Sequence, residues 1–454
     1  MLVSDIDQQI GIKTYVTKTE GIGGKIKQDV EDFVVEENLI DGSTASTMQV
    51  ETKPVLNVSS TKKRFLLCLL IKRNWDTFIA LKKIARELDI EESRIQIAGI
   101  KDAKATTAQH LTIENLTKEE ISKVNIKDIE LLPVGYFHEP ISSFYLLGNS
   151  FTIKVREIDY PKNITEKTTA NCIEEIKATG GIPNFYGHQR FGTTRPITHL
   201  VGKAIIKGDL EEAAMLFLAK PSPNEHPESM QARAQLQTDQ NFAKALNNFP
   251  TQLRFERIML RHLASSPQDF QGAFRRLPAK LRLLFVHAWQ SFLFNRFLSN
   301  RIQNGSSFTK AEVGDFIVNV ERSGLPLIQT GKIVNSANVS EVNSKIESGK
   351  MRIALPIIGF KQRLSEGVMG DLEKQILEEE EIELRCFRIQ SMPELGVKGN
   401  LRAAFSPVHS FNTFIQELAN KSELSIEFRL LRGSYATILL REIMKPNDPI
   451  EAGY

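Results

Sequence analysis

At 454 residues the chain exceeds what one ordinary core holds, so two or three domains are expected. Apolar residues at 41% and charged residues at 25% fit a water-soluble globular protein, and 58 basic against 55 acidic side chains leave a net charge of only +3. That balance excludes binding of a polyanion through a bulk positive field, so a nucleic-acid partner has to be held by local patches.

The chain starts Met1-Leu2-Val3-Ser4-Asp5, with neither a basic leader nor a long apolar run, and no signal peptide is expected. Gly11, Gly21, Gly23 and Gly24 precede the segment Lys27 to Glu37, in which Phe33-Val34-Val35 is a strand seed bounded by acids. Residues 40–56 are rich in Ser, Thr and Gly without periodicity and read as an exposed loop. The apolar run Phe65 to Ile71, flanked by Lys62-Lys63-Arg64 and Lys72-Arg73, has the length of a buried strand and falls far short of a membrane span. Asp76 is suited to cap a following helix with Phe78, Leu81, Ile84, Ala85 and Leu88 on its apolar face. Lys82, Lys83 and Arg86 fall on its solvated side.

Two alternating runs, Ile95-Gln96-Ile97 and His110-Leu111-Thr112-Ile113, read as short half-buried strands around the loop from Ala98 to Gln109. Asp102 then stands at a strand edge, with Lys101 and Lys104 close in sequence. Neighbouring cations favour a carboxylate that attacks over an acid that donates a proton. Taken alone, a solvated charged turn is the more ordinary reading. A strand over 146–156 and a helix over about 168–179 follow, and no Walker or dinucleotide fingerprint is present. The pattern is α+β with a mostly antiparallel sheet.

Gly181, Gly187 and Gly192 frame Asn184, Phe185, Tyr186, His188, Gln189 and Arg190. This is poor material for a helix or regular strand and suits a shaped loop. Its rings and amides could stack and hydrogen-bond a base taken out of its helix, or simply anchor the loop. Beyond Thr193 the character changes: an amphipathic helix over 205–219, a break at Pro221 to Pro227, and helical sequence over 250–300. That last stretch holds a basic cluster (Arg275, Arg276, Lys280, Arg282) and a core segment, Phe285 to Asn295. Residues 313–358 read as strands and loops, and Phe387 to Leu395 and Leu401 to Phe405 as further strand material. A strand at Glu427 to Leu430 leads to Arg432 to Glu442, a helix or closing strand, where Tyr435 has a structural reading. Cys68, Cys172 and Cys386 are odd in number and lack metal-ligand spacing, which suggests a reducing compartment, no disulfide framework and no structural zinc.

Several of these stretches resemble, in the right order, the TruD family of tRNA pseudouridine synthases. Gly99, Lys101, Asp102, Ala105, Thr107 and Gln109 match its catalytic segment, with Ala103 where the family usually has a basic residue. Lys27, Glu31, Asp32, Phe33 and Val35 match its N-terminal motif, with Val30 in place of a proline. The segments Pro183 to Gly192, His287 to Asn295 and Leu430 to Glu442 match three more.

The resemblance implies a pseudouridine synthase catalytic fold, α+β with a mainly antiparallel mixed sheet, interrupted by an inserted TruD-specific α+β domain. Residues 1–192 and 363–454 would form the catalytic domain and 193–362 the insertion. It implies conversion of uridine to pseudouridine in tRNA, with position 13 as the expected site, in the cytoplasm, without a metal or other cofactor and without a membrane. Other structured RNAs are further candidate partners. Asp102 would be the nucleophile, Lys27 its ion-pair partner, Asn184 an amide near it and Tyr186 the ring against the base. Phe33, Gln189 and Arg190 would be further substrate contacts. Lys62, Lys63, Arg64, Arg275, Arg276, Lys280 and Arg282 are candidates for RNA backbone contacts. The alternative is a protein that keeps the fold and binds or folds tRNA with little activity.

Overall fold

The computed structural model describes residues 2–48 and 58–454; of the loop expected over 40–56, the part from 49 onward lies outside them. Numbered along the chain, its strands are β1 (Phe33–Leu39), β2 (Phe65–Arg73), β3 (Ile95–Ile97), β4 (Thr106–Glu114), β5 (Ile129–Phe137), β6 (Leu146–Ile158), β7 (Ile182–Pro183), β8 (Phe316–Val320), β9 (Pro326–Ile333), β10 (Met351–Ile357), β11 (Asn400–Ala403), β12 (Phe405–Ser406), β13 (Val408–Leu418) and β14 (Lys421–Leu431). Among the described residues the larger sheet has eight strands in the order β13-β14-β6-β1-β4-β2-β5, with β3 on the far half of β4. The β1–β4 pair is parallel and the rest are antiparallel, which is the mixed, mainly antiparallel sheet expected.

The sequence of β2 explains its inner position. Leu66, Cys68 and Leu70 pack on one face against Ala80, Ile84 and Ala85 of the helix Thr77–Glu87, while Leu67, Leu69 and Ile71 fill the other face. A strand covered on both sides reads as a continuous apolar run. Asp76 caps that helix, accepting from Ile79 N at 3.1 Å. Phe78, expected on the buried face, is exposed: it lies roughly a quarter-turn round from the centre of the stripe made by Ala80, Leu81, Ile84 and Ala85.

The middle of the chain differs from expectation in detail. One helix over 205–219 is two, Thr198–Lys207 and Leu210–Ala219, because Gly208 turns left-handed (φ 86°) and Asp209 caps the second. Helices Val339–Glu347 and Gly367–Glu379 form where none was read. Residues 387–395 hold 3-10 turns in place of a strand. There the turns deliver Phe387, Met392 and Leu395 into the main core that also holds Val201 and Trp289. A second, four-stranded sheet runs β11-β10-β8-β9, and β12 pairs with β7. Leu401 of β11 completes the apolar face of Phe316, Val318 and Ala354, so the chain stays with this sheet through Ala403. It joins the larger sheet as β13 and β14, later than the division expected at 363.

The 25-residue helix Ala279–Gln303 runs through the centre, buried around most of its circumference from Phe285 onward. Gly202 of the helix Thr198–Lys207 lets it approach closely, since a Cβ there would stand 2.0 Å from Phe285 O. One continuous core joins the halves: Phe33 and Val35 of β1 belong to the same buried cluster as Trp289 and Ile353. At the chain ends, buried Asp7 binds Arg441 (2.8 Å) and His188 (2.9 Å). Burial opposes the charge of Asp7, but Arg441 and His188 outweigh it and hold its carboxyl at about 2. This network fixes the start of the His188–Arg190 turn.

Candidate active site

The loop between β3 and β4 carries Asp102, and several anchors fix it. Thr77, the first residue of its helix, accepts from Lys101 N (3.2 Å) and donates to Lys101 O (3.1 Å). Gln109 donates to Gly99 O at 3.0 Å. Lys101 turns inward to Glu37, 2.7 Å away, with both groups buried. Burial alone would raise the Glu37 pKa, but His110 hydrogen bonding and the Lys101 charge outweigh it and the carboxyl is lowered. Lys72, the eighth residue of β2, is fully buried and donates to the carbonyls of Asp102 (2.6 Å) and Trp75 (2.7 Å).

The Asp102 carboxylate is therefore not governed by its sequence neighbours. Lys101 is engaged with Glu37, and Lys104 is exposed. The cation that reaches the carboxylate is Lys27, with Nζ 3.9 Å from Asp102 Oδ1 and 4.5 Å from the Phe33 ring centre. Lys27 occupies a left-handed backbone conformation (φ 56°), and its side chain is 8% exposed against 23% for Asp102. Burial lowers its pKa, Asp102 opposes that shift and Lys104 adds to it. Gln189 donates to Asp102 Oδ1 at 2.8 Å. The carboxylate opens on a pocket of about 230 Å³ walled by Phe33, Phe151 and Tyr435, with Asn149 and Arg432 on its lining.

A model of the family described as tRNA pseudouridine synthase D (TruD) matches residues 9–443. The chain belongs to this family. It is 38% identical to a probable tRNA pseudouridine synthase D of Methanosarcina acetivorans over 99% of each chain. A Pyrococcus abyssi protein with the same description is 36% identical over 95% of this chain and 98% of its own. The crystal structure of a TruD protein from Methanosarcina mazei superposes with a TM-score of 0.84 at 37% identity, covering 99% of both chains.

Of the residues the TruD resemblance points to, Asp102, Lys27, Phe33 and Gln189 come together. Asn184 and Tyr186 stand beside the pocket. The Asn184 amide is engaged at both ends, donating to Ala403 O (3.0 Å) and accepting from Arg402 (2.7 Å). The Tyr186 ring lies 4.1 Å from the Arg402 guanidinium and edge-on to Phe294 and Tyr435. Asn295 of the long helix clamps its backbone, accepting from Tyr186 N (2.9 Å) and donating to Tyr186 O (3.0 Å). Arg190 donates to Ser291 of the same helix at 3.1 Å. Sequence reading missed Lys72, Asn149 and Arg402; it gave Tyr435 a structural role by default, with the resemblance setting this end of the chain near the cleft, and Tyr435 walls the pocket. Among the described residues the Tyr186 hydroxyl has no hydrogen-bond partner. Tyr186→Phe should therefore change the single-turnover rate less than about twofold, whereas Tyr435→Ala, which removes a pocket wall, should lower it about tenfold or more.

The two basic clusters stand away from the pocket. Lys62, Lys63 and Arg64 are exposed at the opposite end of β2 from Lys72, about 26 Å along the strand, and Arg64 pairs with Glu114 at 2.7 Å. Arg275, Arg276 and Lys280 are exposed near the start of the long helix, about 20 Å along its axis from Asn295. Arg282, expected to face RNA, is buried against Glu394 at 2.6 Å because helix periodicity turns it inward.

Lys72 gives a pH test. Burial pushes its pKa down from 10.5 to about 8, against the pull of Asp102 and Asp76. The unfolded chain keeps this proton up to about 10.5 while the folded protein releases it near 8, so its contribution to stability is present above 10.5 and is lost as pH falls through 8. The stability of the wild type relative to Lys72→Met should rise by roughly 3 kcal/mol between pH 7 and 10.5. Urea unfolding at several pH values measures this. The variant should also lose about tenfold in single-turnover rate, because the Asp102 carbonyl is left without its donor.

Proposed function

We propose that this protein isomerises uridine to pseudouridine in tRNA, with Asp102 as the nucleophile and position 13 as the site. The observation that carries this is the Asp102 carboxylate, held by its backbone, paired with buried Lys27 and opening on a small aromatic-walled pocket. A pocket of about 230 Å³ suits a single pyrimidine taken out of the RNA stack. Asp102 attacks the flipped nucleotide, either at the ribose anomeric carbon or at C6 of the base. The glycosidic bond to N1 breaks, the uracil turns, and a bond from C5 to the ribose replaces it as Asp102 is released; C5 gives up its proton and N1 takes one up, so the sum is an isomerisation.

The base must be held while detached, and each pocket group has a part in that. Phe33, Phe151 and Tyr435 offer ring faces and edges. Asn149 presents an amide that, among the described residues, has no hydrogen-bond partner, which suits it to the imide edge of uracil. Gln189 orients the carboxylate. Arg402, through Asn184 and the Gly433 carbonyl, ties the 181–192 loop to the Tyr435 segment. A cytoplasmic location is part of the proposal and rests on three scattered free cysteines.

The test is site-resolved pseudouridine mapping on unmodified tRNA transcripts incubated with the purified protein. Pseudouridine at position 13 that depends on Asp102 supports the proposal. Tight tRNA binding without any new pseudouridine favours an RNA-binding or tRNA-folding protein instead.

A further inference from the structure

Buried arginines in this protein have acidic partners. Arg233, Arg282, Arg296, Arg301 and Arg441 each have a carboxylate within 2.9 Å. Arg352 of β10 departs from that pattern. It is partly buried, burial lowers its pKa, and among the described residues no carboxylate, carbonyl or hydroxyl takes its guanidinium. A desolvated cation without an acceptor destabilises the free protein, and an anionic ligand removes that penalty.

The surroundings of Arg352 extend the positive field. It lines a cavity of about 820 Å³ together with Lys310, Phe308 and Phe405; among the described residues Glu347 is the one carboxylate on the lining. His409 of β13 stands opposite Arg429 of β14 and feels the charges of both Arg352 and Arg429. Neither His409 nor Arg429 has an acidic partner among the described residues, and both line a second cavity of about 310 Å³. The strip thus crosses from the four-stranded sheet to the eight-stranded one. It also runs close to the reactive pocket: Ser434 on the pocket lining donates to Ser406 at 2.7 Å, and Ser406 lies between Phe405 and Pro407 on the lining of the larger cavity.

We propose that Arg352, His409 and Arg429 form a docking strip for the phosphodiester backbone of the substrate RNA, and that the cavity beside Arg352 receives a nucleotide other than the one that reacts. This rests on the tRNA reading above. Guanidinium groups suit phosphate oxygens, and cations left without internal partners are available to hold a backbone without reading its sequence. With a net charge of only +3, local groups of this kind have to supply the attraction.

The test measures binding of an unmodified tRNA transcript between about 0.05 and 0.2 M salt. Arg352→Gln combined with Arg429→Gln should weaken binding at least tenfold and reduce the slope of log K against log salt by about 0.7 per lost contact. The rate at saturating enzyme should stay unchanged, and thermal stability should not fall, because an unpaired cation is removed. Arg429→Gln alone changes an exposed side chain and should by itself reduce the slope by about 0.7. Unchanged affinity and slope, or a lost saturating rate at unchanged affinity, overturns the proposal. Repeating the binding on Asp102→Asn protein reads the strip without turnover, so failure of the synthase reading stays distinguishable from failure of this one.

Discussion

Asp102→Asn should leave the fold and tRNA affinity near those of the wild type and lower pseudouridine formation by at least about 10⁴-fold. The asparagine keeps an oxygen that can accept from Gln189, and the Lys72 bond goes to the residue's backbone carbonyl, which the substitution does not alter. What disappears is the anion. Lys27 then sits buried without its counter-charge, so a modest loss of stability accompanies the loss of activity. Single-turnover assays with saturating enzyme and rigorously purified variant separate chemistry from binding. Near-normal product from the folded variant would remove Asp102 from the role of nucleophile.

The parts of the site that could be read in the sequence are those that lie contiguously in it. Asp102 and Gln189 lie in local stretches whose composition gives the loop and the glycine-framed turn, but their roles, like those of Phe33 and Lys27, were reached by resemblance. The rest depends on strand register and helix packing, which no local pattern encodes. Asn149 reaches the pocket because β6 pairs with both β1 and β14, and Tyr435 because β14 delivers the chain to the rim. Lys72 looked like the charged flank of an apolar run, yet the strand continues through Arg73 and buries it. Asn184 shows the converse. Its motif places it correctly in the loop, but Arg402, more than two hundred residues later in the sequence, takes the amide that the motif alone left free. The fold divides the same way: the alternating and apolar strands were legible, whereas the capped break at Gly208-Asp209 was passed over and the helices Val339–Glu347 and Gly367–Glu379 gave no recognised pattern.

Lys27→Met should separate activity from stability more cleanly than any other change at this site. At 3.9 Å and an effective dielectric constant of about 20, the attraction between Lys27 and Asp102 is about 4 kcal/mol. Against it stands the penalty for burying an ammonium, several kcal/mol in protein interiors, and the lowered pKa of Lys27 has burial as its largest cause. The two nearly cancel in the resting protein, and methionine fills similar space beside the Phe33 ring, so unfolding stability should change by no more than about 1 kcal/mol. The balance differs in the reaction. When the glycosidic bond breaks, negative charge moves onto the uracil inside a small pocket, close to a cation already in place and poorly screened by water. Removing one such fixed group typically lowers a rate by 10²–10³, roughly 3–4 kcal/mol of transition-state stabilisation. The expected result is therefore a single-turnover rate reduced by that factor, tRNA affinity unchanged, and a nearly unaltered urea midpoint. A variant that loses several kcal/mol of stability while its folded fraction turns over normally would make Lys27 a structural cation and leave Asp102 to act with Gln189 alone.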